Sequence, residues 1–309
     1  NYKAKEISNK HRGIDFSAAT NAIEISLWDI QGKIEQKSIG SIFGKNHNQI
    51  KTYANFNRST TDRSPKGIKS RVNTVLNDGF KLIKFAPFDE VILGMTSKEI
   101  RAAMQPGLER IYIIRETAGS EIGIMIDCHW RFNYETTINL IEEIENLNLY
   151  WLECPIPETI DFSLEIKKIR SIANSKGIKL AGLEKKILTK GFESYLKAGV
   201  YDFMMPDIKY AGGPDELITI EKLFNKFNVH FSPHNPSGPI AHAHTLQVCS
   251  ATNEPALMEY QYNETDYFET LLEKPNPIII NGYSKLPEHN HGLGIEINEL
   301  ELKKLNQSI

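Results

Sequence analysis

GIMIDCHW, residues 123–130, is an apolar run that closes on polar chemistry. The same form recurs in YWLECP (150–155), LAGLEKK (180–186), YDFMMPDIK (201–209) and VHFSPHNP (229–236). Each run has the length of a buried strand, and each carries its polar residue (Asp127, Glu153, Glu184, Asp207, His234) at the C-terminal end. Working outward from these five, hydrophobic periodicity places strands at 50–56, 80–85, 123–127, 149–153, 179–183, 202–205, 229–232 and 255–260. Amphipathic stretches lie between them, at 64–77, 97–118, 133–146, 162–174, 213–227 and 238–251, several opened by Ser, Asn or Asp caps. Gln105-Pro106-Gly107 interrupts the second of these, which is read as an insertion or a kinked helix. Strand and helix alternating over eight units argue for a parallel sheet closed into a barrel. A doubly wound sheet stays open as an alternative but has no glycine-rich phosphate loop to support it.

Composition narrows the class of function. Of 309 residues, 40% are hydrophobic and 24% charged, which is ordinary for a globular chain with a sizeable core. The 36 basic and 39 acidic residues leave a net charge of −3 with the lysines scattered, so no nucleic-acid surface is indicated and a small-molecule partner is expected. No apolar run approaches the roughly 18 residues that span a bilayer, and the polar opening NYKAKEISNKHRG reads as neither signal nor anchor. Cys128, Cys154 and Cys249 make an odd count without CxxC spacing, which predicts reduced thiols and a cytoplasmic protein. The chain opens on Asn1, as expected of a piece of something longer. Residues 16–33 (FSAATNAIEISLWDIQGK) read as an amphipathic helix ahead of the barrel. The tail IIINGYSKLPEHNHGLGIEINELELKKL reads as two short strands and turns, and both segments are expected to pack against the barrel mouth.

In such barrels the chemistry sits at the C-terminal strand ends, where all five polar residues fall. Three carboxylates on successive strand ends present hard oxygen ligands, suited to Mg²⁺ with Mn²⁺ as the alternative, whereas zinc favours nitrogen or sulfur. Taken singly, each carboxylate is better explained by a helix cap or an ion pair, and His234, without Asp207, equally well by a loop histidine capping the next helix. His129, two residues beyond Asp127, shares its side of an alternating strand, while Cys128 points toward the helices. His242 and His244 stand two apart on a helix and face different ways, against a paired metal site. Trp28 and Trp151 read as core.

Eight motifs occur in an order that resembles the enolase superfamily, in its mandelate-racemase-like branch. They are AIEISLWDIQGK, GFKLIKF, MIDCHW, YWLECPIPE, LAGLEKK, MMPDIKYAGG, SPHNPSGPIA and HGLGIEI, and they span essentially the whole chain. The resemblance implies a modified (β/α)8 barrel, of TIM-like (β/α)7β form, with a remnant of an N-terminal α+β capping domain. The implied domains are 1–48 for that remnant, 49–275 for the catalytic barrel and 276–309 for a segment returning to the cap. It further implies Mg²⁺ on Asp127, Glu153 and Glu184 and an Asp207–His234 dyad that abstracts a proton beside a carboxylate. A histidine at the place of His129 marks the acid-sugar dehydratases of this group, where it serves as general acid. Racemase-like members carry two lysines around one residue on the second strand, but Lys84-Phe85-Ala86 keeps one, which turns the reading from two-base racemisation toward elimination. Lys84 is assigned to the catalytic set, offsetting the carboxylate charge, with a snorkelling barrel lysine as the plain alternative. Glu259, Trp130 and Lys209 are the expected substrate contacts. The expected function is an aldonate-type dehydratase yielding a 2-keto-3-deoxy sugar acid, working as a homo-oligomer. A cycloisomerase or epimerase of the same superfamily, and a silent sugar-acid-binding homologue, remain the alternatives.

Overall fold

The computed structural model describes residues 13–273, 278–287 and 291–307. The polar opening of the chain and the boundary expected at 275–276 lie outside the described residues.

Strands β1 (Gln49–Asn55), β2 (Leu82–Phe85), β3 (Gly123–Asp127), β4 (Trp151–Glu153), β5 (Lys179–Gly182), β6 (Phe203–Met204), β7 (His230–Phe231) and β8 (Leu257–Gln261) run in sequence order around one sheet. Every neighbouring pair from β1 to β7 is parallel, and β8 returns parallel to β1 with Asn55 level with Gln261. No strand ladder joins β7 to β8; Ser232 Oγ bridges that seam by donating to the Leu257 carbonyl at 2.7 Å. The strands read as almost unbroken apolar runs because both faces are covered, one by helices and one by the barrel interior. Inside, Tyr53, Leu82, Met125, Trp151, Ala181, Phe203, Met205 and Leu257 form a packed layer beneath the mouth. Strand alternation then lifts the next inward residues, Asn55, Lys84, Asp127, Glu153 and Glu259, onto the level above it.

The helices start where local chemistry starts them. After α1 (Ile14–Glu35) and the short α2 (Ile39–Ile42), α3 (Pro65–Asn77) opens with Pro65 in its first turn and the Ser64 hydroxyl accepting from Gly67 N–H. The doubtful stretch resolves into two pieces. Helix α4 (Ser97–Ala103) begins on a Thr96–Glu99 capping box, and α5 (Gln105–Ala118) restarts with Pro106 in its first turn, where no backbone donor is needed. Helices α6 (Tyr134–Ile144), α7 (Ser163–Ser175), α8 (Leu188–Ala198), α9 (Pro214–Lys226) and α10 (Pro239–Ser250) complete seven crossovers. Beyond β8 comes the four-residue α11 (Tyr267–Thr270), so the architecture is the expected (β/α)7β barrel.

The tail departs from expectation in two ways. β9 (Ile278–Ile280) and β10 (Tyr283–Lys285) form a hairpin whose second strand pairs antiparallel with Gln49–Lys51, at the start of β1. It therefore extends the sheet at the end opposite the mouth, because the first residues of β1 have no β2 partner and leave that edge free to pair. At the end of the tail read as two short strands and turns, the run ELELKKLNQ is a helix, α12 (Glu299–Gln307). Helix α1 does reach the mouth side, where Ser17 Oγ and Asn21 Nδ2 donate to the Tyr210 and Lys209 carbonyls after β6. Trp28 is half-buried against Phe43, whereas Trp151 is fully enclosed in the barrel.

Candidate active site

Parallel register sets the first geometry. Asp127 of β3 stands level with Glu153 of β4, so two carboxylates rise side by side on adjacent strands. Lys84, 1% exposed, reaches up between β1 and β3 and places Nζ 2.8 Å from both Glu153 Oε1 and Glu259 Oε1. Trp151 Nε1 donates to the other Glu153 oxygen at 3.0 Å. Burial opposes the Lys84 charge, but the Glu153 and Glu259 carboxylates outweigh it and hold the ammonium firmly protonated. For Glu153, burial and the negative charges of Asp127, Glu184 and Glu259 push the carboxyl well above its usual range against the single pull of Lys84. One ammonium is too little positive charge for this cluster.

That imbalance is what a divalent cation relieves, and the donor set fits one. Ligand atoms of Glu153, Cys154 and Glu184 lie within 4.8 Å of one another, all buried. Glu153 and Glu184 thus meet as expected, while Asp127 is turned aside. Its Oδ1 accepts from His129 N–H at 2.9 Å and its Oδ2 lies 2.8 Å from His129 Nε2. Cys154 takes the third place in the group: β4 ends at Glu153, and Cys154 stands in a left-handed turn (φ 45°) just after it.

The dyad is formed. His234 Nδ1 lies 2.8 Å from Asp207 Oδ2, leaving Nε2 toward Glu184 Oε2 at 3.6 Å. Burial disfavours imidazolium here, but Glu184 and the Asp207 hydrogen bond prevail and raise His234 above its ordinary value. The nearby Asp127 carboxylate likewise raises His129, against partial burial. His129 is 40% exposed and shares one small cavity with Lys84, Asp127, His234 and Glu259. What brings it there is a turn and not strand alternation, since β3 ends at Asp127 and His129 has a left-handed φ of 48°.

Of the three expected substrate contacts, Glu259 lies in the cavity wall and Lys209 and Trp130 lie outside it. Glu259 borders the cavity, but both oxygens already serve protein donors: Lys84 and Asn55 Nδ2 (2.7 Å) on one, Asn235 N–H (2.8 Å) on the other. Lys209 extends to Asp207 Oδ2 at 3.4 Å and over the Tyr210 ring, outside the cavity wall. Trp130 donates its indole N–H to Glu158 at 2.9 Å and lies under Lys185 Nζ. Asn55, Asn57 and Arg58 line the cavity beside Glu259, from the end of β1 and the turn after it. The signal for them was present in YANFNR: β1 was the one strand of the rim read without a polar end.

A parallel barrel with carboxylates, a lysine and an Asp–His pair at its strand ends defines a class. Residues 68–301 match the enolase C-terminal domain-like family, and the chain belongs to it. It is 30% identical over 303 residues to the D-galactonate dehydratase of Xanthomonas campestris pv. campestris (strain B100), covering 96% of this chain and 75% of that protein. Identity to the D-gluconate dehydratase of Thermoproteus tenax is 26% over 295 residues, covering 95% and 57% respectively. Among solved structures, a member of the enolase superfamily from Salmonella Typhimurium superposes with a TM-score of 0.84 at 24% identity, covering 97% of this chain and 79% of that one. The 3,6-anhydro-D-galactonate cycloisomerase from Zobellia galactanivorans gives 0.82 at 23% identity, covering 98% and 80%. Both structural likenesses bear on the fold alone. Among the described residues no helix is long and apolar enough to cross a membrane.

Proposed function

We propose that this chain is a metal-dependent dehydratase of an aldonate-type sugar acid. One observation carries the reading: two histidines, each backed by its own carboxylate, face a single polar cavity. With Nδ1–H donating to Asp207, His234 presents the lone pair of Nε2 and takes the proton from C2 of the bound acid. His129, whose protonated form the Asp127 carboxylate favours, gives its proton to the departing C3 hydroxyl. Water leaves, C2 and C3 become doubly bonded, and the resulting enol turns to a 2-keto-3-deoxy acid. Lys84 stays charged beneath the cavity and offsets the carboxylates around it without exchanging a proton.

Glu153 and Glu184, with Asp127 beside them, are the residues that would hold Mg²⁺ or Mn²⁺. A cation there supplies positive charge against the negative charge that builds on the substrate carboxylate as C2 loses its proton. The dehydratase names of the two relatives support the reaction class. The test is a screen of five- and six-carbon aldonates with and without Mg²⁺, in which semicarbazide detects any 2-keto acid. Metal-dependent appearance of a 2-keto acid is expected. Isomerisation without it, or ligand binding with no deuterium entering C2, refutes the assignment.

A further inference from the structure

Four non-glycine residues at the ends of β3, β4 and β5 adopt left-handed backbone: His129 (φ 48°), Trp130 (59°), Cys154 (45°) and Leu183 (72°). Each such conformation costs on the order of 1–3 kcal/mol and persists only where surrounding contacts impose it. These same turns aim the site, since they carry His129 itself and immediately follow Glu153 or precede Glu184. One side chain touches all three. The Glu158 carboxylate accepts Leu183 N–H on Oε1 at 2.6 Å and the Trp130 indole N–H on Oε2 at 2.9 Å, with Cys154 Sγ 3.8 Å from Oε1. Glu158 is itself held, because its carbonyl accepts from Lys186 Nζ at 2.7 Å and from Tyr195 O–H at 2.8 Å. Room for the carboxylate comes from Gly182, where a Cβ would fall 2.2 Å from Glu158 Oε1.

We propose that Glu158 is a positioning residue for this site: one carboxylate that locks the turns after β3, β4 and β5 and so sets where His129, Glu153 and Glu184 point. It acts through backbone and indole, without touching substrate. The role rests on the proposed site for its meaning but not for its test. Both oxygens serve N–H donors, so a neutral amide at this position can satisfy one and must turn an N–H₂ on the other. In Glu158→Gln the amide of Leu183 loses its charged acceptor, or the Trp130 indole does.

The experiment compares the 309-residue chain with E158Q, W130F and E158Q/W130F. Hydrogen exchange in the segment 180–187 is measured without metal, alongside Mn²⁺ affinity by electron paramagnetic resonance. E158Q is expected to speed exchange at Leu183 on the order of 10-fold, with Mn²⁺ binding weakened by a similar factor. Adding W130F removes the competing donor, leaves the Gln carbonyl to Leu183 N–H, and restores slow exchange. A merely structural residue would show no such rescue. Exchange in E158Q within twofold of the parent, or a double variant no slower than E158Q, overturns the proposal. Should E158Q alone fail to fold, the double variant is expected to fold and protect Leu183, and its failure overturns the proposal equally. A parent chain that binds no Mn²⁺ counts against the metal reading above, while the exchange data still decide the role of Glu158.

Discussion

Helix α10 carries two buried histidines, and they make the acid limit of this fold calculable. His242 is fully buried with its ring edge-on to Tyr260 and Phe268, and His244 is 1% exposed. Asn235 Nδ2 meets His242 Nδ1 at 2.9 Å, which requires that nitrogen to be an acceptor and the ring to be neutral. His242 Nε2 and His244 Nδ1 meet no partner among the described residues. Burial therefore pushes both imidazoles down to about 3. A histidine whose folded value is depressed contributes stability above its unfolded value of about 6.5 and loses it as pH falls. At pH 5 the unfolded ring is almost wholly protonated and the folded ring is not, so each costs about 2 kcal/mol relative to pH 8, or about 4 kcal/mol for the pair. That is a large share of the roughly 5–15 kcal/mol that holds a domain together. The assay is urea unfolding at pH 8, 6.5 and 5 in metal-free buffer, for the parent and for a His242→Gln/His244→Gln variant. The variant is expected to be less stable at pH 8 yet to lose about 4 kcal/mol less than the parent on going to pH 5. Parallel pH profiles for the two proteins would refute the claim that these rings are buried and neutral.

Three further outcomes are expected. Lys84→Met strands Glu153 and Glu259 without their shared ammonium, and metal-free chemical denaturation should show a loss of about 3–5 kcal/mol at pH 7; a loss below about 1 kcal/mol contradicts the pairing. His129→Asn should abolish dehydration while C2 proton exchange with deuterated solvent continues, and His234→Asn should stop both; dehydration that survives in H129N removes the assigned acid. Asp202 accepts from Arg170 Nε at 3.0 Å, Asn174 Nδ2 at 3.1 Å and Leu180 N–H at 2.8 Å, tying α7 to β5 and β6. Asp202→Ala leaves those donors partly buried and unpaired, so thermal unfolding should reveal a loss of about 2–4 kcal/mol; no shift in midpoint argues against the knot.

Much of this protein was legible in one dimension because a parallel barrel writes itself locally. A strand covered on both faces must be apolar throughout, and a polar residue at its end stands out, so Asp127, Glu153, Glu184, Asp207 and His234 were visible without any contact being known. Helix α12 was missed because its charged run resembles a surface turn, and the hairpin of β9 and β10 was set at the wrong end because pairing with β1 is a contact between residues more than 200 apart. His129 was found for the wrong reason: alternation stops where the strand stops, and a left-handed turn supplied the direction.

The sequence by itself determined the alternation of strand and helix and the residue types at the rim, since periodicity and strand-end chemistry are properties of neighbours along the chain; closure into a barrel was favoured but not decided by it. Only the tertiary structure decided which partners those groups meet. Glu259 accepts from Lys84, Asn55 and Asn235, Asp127 turns to His129, and Glu158, unremarkable in YWLECPIPE, gathers three turns onto one carboxylate. Those assignments depend on which donors arrive from strands and helices far away in the chain, and a hydrogen-bonding oxygen is committed or available only by what stands within about 3 Å of it.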